Sequence, residues 1–150
     1  MSMPEAIEEN IKTWDFSPFF RSKYAECYSN KDKKMIVCIL TGEYVPINEF
    51  RNVFNELLKE IRNSKYTRFI FDKRSLRTFH QPSMEWYYLD WKTRAFEYGL
   101  KEHRKILPDL KWFVKAVEIA KRDLEEKLPE KVRIELDISY CNSLSEAINE

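Results

Sequence analysis

Apolar positions in this chain change their period several times, and each change marks an element. Met35 to Leu40 is apolar on both faces, the pattern of a strand inside a sheet. The more mixed stretch Arg21 to Ser29 precedes it and suits an edge strand. Between them, Asn30-Lys31-Asp32-Lys33 has the polar composition of a hairpin loop. From Asn48 the period becomes helical, with Phe50, Val53, Phe54, Leu57, Leu58 and Ile61 on one face. Asn48 is placed to cap that helix through its side-chain oxygen.

A short apolar run, Phe69-Ile70-Phe71, then ends in the charged cluster Asp72-Lys73-Arg74 and predicts a buried central strand. Pro82 starts the next helix, with Met84, Tyr87, Tyr88, Trp91, Ala95 and Tyr98 on one face. Gly99 suits the left-handed position that ends it. Residues 101–107 give the next strand, although only Ile106 and Leu107 are clearly apolar. Pro108-Asp109 opens a helix bearing Leu110, Phe113, Val114, Val117 and Leu124. After Pro129, the residues Val132, Ile134, Leu136, Ile138 and Tyr140 alternate with polar ones, which predicts a strand. Ser143 and Glu146 form a capping box that opens a final helix. At the other end, Ile7, Ile11 and Trp14 form a short helical stripe over residues 4–14. An aromatic, proline-broken connection follows, and residues 1–20 read as an N-terminal arm.

A hairpin followed by α, β, α, β, α, β, α predicts an α/β fold. The expected sheet is mixed, mostly parallel and of about five strands, with the hairpin at one edge and helices flanking it. A chain of 150 residues without an internal repeat is read as one domain, residues 1–150. The net charge of +1 argues against nucleic acid as a partner, because such binders carry a basic excess. With two glycines, Gly42 and Gly99, the chain lacks the glycine-rich loops that cradle phosphates. Cys27, Cys38 and Cys141 are odd in number and widely spaced, so reduced thiols in a cytoplasmic protein are expected. The two histidines lack metal-ligand spacing, and no cofactor or metal is expected. No apolar run reaches the ~20 residues of a membrane span, so membrane insertion is not expected.

The candidate site lies in the loop after the central strand. Ligands in open α/β sheets gather at the carboxyl ends of strands. Asp72, Lys73, Arg74, Arg77, Thr78 and His80 lie there, just ahead of the helix at Pro82, in a pattern suited to an anionic group. Trp86 and Tyr87 extend the site onto the helix, where aromatic side chains either fill the core or line a groove or interface. His80 and His103 would form an acid–base pair only if the fold joined them; separate, ordinary roles are the expected outcome. No nucleophile with an orienting base is legible, so no catalytic residue is assigned.

The element order, the strand Arg68-Phe69-Ile70-Phe71-Asp72, the loop leading to Pro82 and the closing Ser143-Leu144-Ser145-Glu146-Ala147 resemble the SpoIIAA-like, or STAS, family over residues 21–150. One departure is plain. Where the family's anti-sigma-factor antagonists carry an Asp-Ser-Ser-Gly-like phosphorylation motif, this chain reads Asp72-Lys73-Arg74-Ser75. The resemblance implies a non-enzymatic regulatory module that binds a protein partner or itself through residues 73–80 and the following helix. The alternative is a carrier or sensor for a small lipid-like or anionic ligand, by analogy with the distantly related SEC14-like domains.

Overall fold

The structure, a computed structural model, describes residues 14–150. It is an α/β fold built on one six-stranded mixed sheet. The strands are β1 (Ser17–Arg21), β2 (Ala25–Asn30), β3 (Met35–Leu40), β4 (Arg68–Asp72), β5 (Glu102–Ile106) and β6 (Asp137–Cys141), and they lie side by side in chain order. The pairs β1–β2 and β2–β3 are antiparallel, whereas β3–β4, β4–β5 and β5–β6 are parallel. The predicted fold class is therefore borne out, with one strand more than expected.

The extra strand is β1. Its Pro18 looks like a breaker in the sequence, but an edge strand tolerates proline, and the pairing with β2 slips between Pro18 and Phe20. The stretch read as one strand from Arg21 is instead the end of β1, a turn closed by Ser22 N–H on Ala25 O, and β2. The helical stripe predicted over residues 4–14 lies outside the described residues, apart from Trp14.

Alternation sorts the sheet into two faces. One carries Ala25, Cys27, Ile36, Cys38, Leu40, Phe69 and Phe71. Over it pack α1 (Ile47–Ser64), a long helical rod (Gln81–Glu97), α4 (Lys111–Glu125) and α5 (Glu130–Glu135). The rod has three parts: α2 (Gln81–Glu85), a π-helical stretch (Trp86–Trp91) and α3 (Lys92–Glu97). The other face carries Tyr28, Val37, Ile39, Ile70, Ile106 and Cys141, covered by α6 (Leu144–Asn149) with Phe16 and Trp14. Arg68 fastens α6 by donating to the carbonyls of Ala147 (2.9 Å) and Ile148 (3.3 Å), while its Nε meets Glu102 at 3.1 Å. All three cysteines are free and buried.

The helix-covered core is largely aromatic. Phe54 of α1 stacks on Phe50 (4.4 Å between ring centres) and meets Phe71, Trp91 and Tyr87 edge-on at 5.0, 5.1 and 5.2 Å. The Trp91 indole N–H donates to the Phe54 carbonyl at 2.7 Å, pinning the rod to α1. Two local expectations fail here. Helix α1 begins at Ile47 after Pro46, with no side-chain cap, so Asn48 lies inside the first turn rather than at the cap. The alternating stretch after Pro129 is not one strand, because its first half forms α5 and only Asp137–Cys141 joins the sheet. Val132 and Leu136 are also four apart, so one helical turn puts both against the core and leaves Ile134 exposed.

Candidate functional site

Asp72 closes β4 and turns the chain. Its buried carboxylate receives Arg74 in two-point contact, Nε on Oδ1 at 3.0 Å and Nη2 on Oδ2 at 2.7 Å, and also the Arg74 backbone N–H at 3.0 Å. Planar guanidinium and carboxylate groups match in this geometry, which fixes the loop's exit direction. The rest of the loop is tied to its neighbours. Lys73 N–H continues the ladder to Ile106 O, Ser75 Oγ lies 2.8 Å from Leu40 O and 2.9 Å from Gly42 O, and Arg77 N–H reaches Glu43 O.

Under this loop is a cavity of about 50 Å³. Leu40, Val45, Phe50, Phe71, Leu76, Phe79, Met84 and Phe113 give it apolar walls, and Lys73, Thr78, His80, Ser83 and Tyr87 add polar groups. His80 and Ser83 form a pair. His80 Nδ1 lies 2.8 Å from Ser83 Oγ and accepts the Ser83 backbone N–H at 3.3 Å, so the serine hydroxyl is the donor between them. His80 also caps the rod, and its ring meets the edge of Tyr44.

Of the predicted site residues, Lys73, Thr78, His80 and Tyr87 share this cavity. Arg74 and Arg77 instead line an open groove of about 750 Å³ with Leu107, Pro108, Val114 and Tyr140. Arg77 is exposed, and its guanidinium donates to the carbonyls of Arg74 and Leu76 in its own loop. Asp72 touches neither space and serves Arg74. Trp86 lies half-buried outside the cavity, edge-on to Phe50 and under the Arg51 guanidinium. His103 is buried on β5 beside Phe69 near the strand's amino end, whereas His80 follows the carboxyl end of β4, so the two histidines do not meet.

Behind the cavity is a feature that sequence reading missed. Strand β5 is interior, yet it presents His103 and Lys105, both fully buried, to the helix-covered face. Lys92, also fully buried, comes down from the rod to meet them. The π-helical stretch makes this approach, with Lys92 N–H bonded to the Tyr87 carbonyl five residues back. The Lys92 ammonium lies 4.0 Å from the centre of the Tyr88 ring and 5.1 Å from that of Tyr87. Lys105 Nζ lies 5.1 and 5.5 Å from the same two rings, Tyr87 first. Neither Nζ, neither His103 ring nitrogen and not the Tyr87 hydroxyl has a hydrogen-bond partner among the described residues.

Burial sets the protonation of this cluster. It pulls Lys92 down to about 7, helped by the charges of Lys73 and Lys121. Lys105 is pushed well below the ordinary lysine value by burial and then by Lys92, and Lys73 by burial and then by Lys105. His103 is likewise lowered by burial, while burial raises Tyr87 and Tyr88. The site is thus a small, mostly apolar cavity with an amine on its wall and two more amines behind it. No described helix is long and apolar enough to cross a membrane. Comparison with protein-family models, with curated proteins and with solved structures finds no match to this chain.

Proposed function

We propose that this protein is a non-catalytic binding module, a carrier or sensor for a small ligand with an apolar body and an oxygen-bearing head. Lys73 carries the reading. It is 5% exposed and lines an apolar cavity, with its ammonium 5.1 Å from the centre of the Phe71 ring and, among the described residues, neither an ion pair nor a hydrogen bond. A nearly buried amine held only over an aromatic ring is costly, and a ligand that brings an oxygen to it completes the site. The neighbouring walls are aliphatic and aromatic, which suits a hydrocarbon body.

The test is the mass of protein purified from its own source, first native and then denatured in acid. The native form should carry an excess that the denatured form loses, and Leu40→Trp, which fills the cavity, should abolish it. Bare protein whose melting temperature is also unmoved by short carboxylates and aldehydes would refute the reading.

A second reading, a regulatory protein-interaction module of the SpoIIAA-like (STAS) type, is supported by the surface beside the cavity. Arg77 and Thr78 are exposed there, and Trp112 of α4 is an exposed aromatic. Arg77→Glu and Trp86→Ala then weaken a defined complex seen by light scattering. Arg74 is the wrong residue to test, since its loss strands Asp72. The absence of any complex or self-association would count against this second role.

A further inference from the structure

The buried lysines narrow the chemistry of the ligand's head. Lys73 faces the cavity, and the charged group next to it in sequence, Asp72, is taken by Arg74 at 2.7 Å. Lys105 stands on the adjacent strand, one position from Lys73's end of the sheet, with Lys92 above it from the rod and His103 two residues back. Lys121 and Glu125 of α4, Arg104 of β5, and Tyr87, Tyr88 and Tyr140 are the remaining titratable groups that act on the cluster. Lys92, Lys105 and His103 are fully buried with no hydrogen-bonded anion among the described residues, and Lys73 beside the cavity is 5% exposed, so burial favours the neutral amine in this cluster. A neutral lysine in an apolar pocket beside a second cationic group is the setting that makes this side chain a nucleophile toward carbonyl carbon.

We infer that Lys73 captures a small aldehyde or ketone in the cavity as an imine, a step that rests on the ligand-binding reading above. The Nζ lone pair attacks the carbonyl carbon while the C=O π pair moves onto oxygen. One proton leaves nitrogen and one joins oxygen, which gives a carbinolamine. The oxygen then takes a second proton and departs as water as nitrogen releases its last N–H proton. Amine and carbonyl become imine and one water, with nothing oxidised or reduced. His80 and Ser83, 2.8 Å apart on the same wall, are the groups that relay these protons. The space admits only a few water-sized groups, so the carbonyl and a short carbon stub sit inside, against Phe71 and Met84.

The probe is butanal, added to the folded full chain at neutral pH with cyanoborohydride, followed by peptide mapping. Lys59, whose side chain is 63% exposed, serves as the internal reference. Lys73 should be trapped at least tenfold faster than Lys59, and the preference should vanish in urea. Trapping of Lys73 no faster than Lys59, or trapping of Lys92 or Lys105 in its place, overturns the inference. Butanoate, which cannot form an imine, separates the two claims by native mass spectrometry. If butanoate binds and Lys73 is not trapped, the ligand reading stands and the imine falls; if neither occurs, both fall. The comparison within the wild-type chain needs no variant to fold, and Lys73→Met adds a check that the trapped mass disappears.

Discussion

Lys73, Lys92 and Lys105 give the molecule a pH response of the same sign as that of paired carboxylates, but in a neutral-to-alkaline window rather than an acidic one. In the unfolded chain each titrates near the ordinary lysine value, whereas in the fold Lys92 titrates at about 7 and the other two are also lowered. Between those values the unfolded state holds more protons, so stability rises with pH. From about pH 7 to pH 10 Lys92 contributes a slope of up to about 1.4 kcal/mol per pH unit, and Lys73 and Lys105 add to it in the same direction. Cys38 opposes the trend from about pH 9, and Tyr87 and Tyr88 from about pH 10, because folding resists their ionisation. Urea midpoints at pH 7, 8.5 and 9.5 should climb, and Lys92→Met with Lys105→Met should flatten the climb.

The Asp72–Arg74 pair behaves differently. Asp72→Asn should cost about 3 kcal/mol, measured by urea unfolding, because a guanidinium loses its buried partner. Arg74→Met added to it should recover much of that loss. The loop's charge was legible in the sequence, since acidic and basic residues cluster where a strand ends. The amines behind it were not. Lys92 follows Trp91 on the helical stripe, and Lys105 sits two residues from His103, so the signal was there only in register. It becomes readable once β5 is known to be interior, because alternation must then bury residues 103 and 105 together.

At the scale of elements, apolar periodicity located what hydrophobic burial alone decides. Helix α1 buries Phe50, Val53, Phe54, Leu57 and Ile61 as the pattern requires. Phe54 touches several rings at once, so Phe54→Ala should cost roughly 3–5 kcal/mol in thermal or chemical unfolding. Strand β5 falls where it was expected although it is nearly all polar, because its long side chains cover the sheet with their aliphatic stems. A failure came where another rule won. In α5, spacing by two and spacing by four coincide at Val132 and Leu136, and the turn after Pro129 selects the helix. Gly99 was foreseen correctly: it sits at φ +98° where the rod ends, with Leu100 N–H reaching back to Ala95 O. Gly99→Ala should cost about 1 kcal/mol through backbone strain, although a methyl group there meets nothing within 4 Å.

For the whole molecule, the telling feature is a strand order that follows the chain from β1 to β6 without a reversal. Each new strand needs only the edge left by the one before it, and no paired neighbours must part to admit a latecomer. A chain emerging from the ribosome can therefore lay down its sheet from one side, beginning with the local β2–β3 hairpin. Pulse-labelled amide exchange during refolding should find β2 and β3 protected before β6. The last strand and α6, held by Arg68, then act as the clasp that ends the assembly.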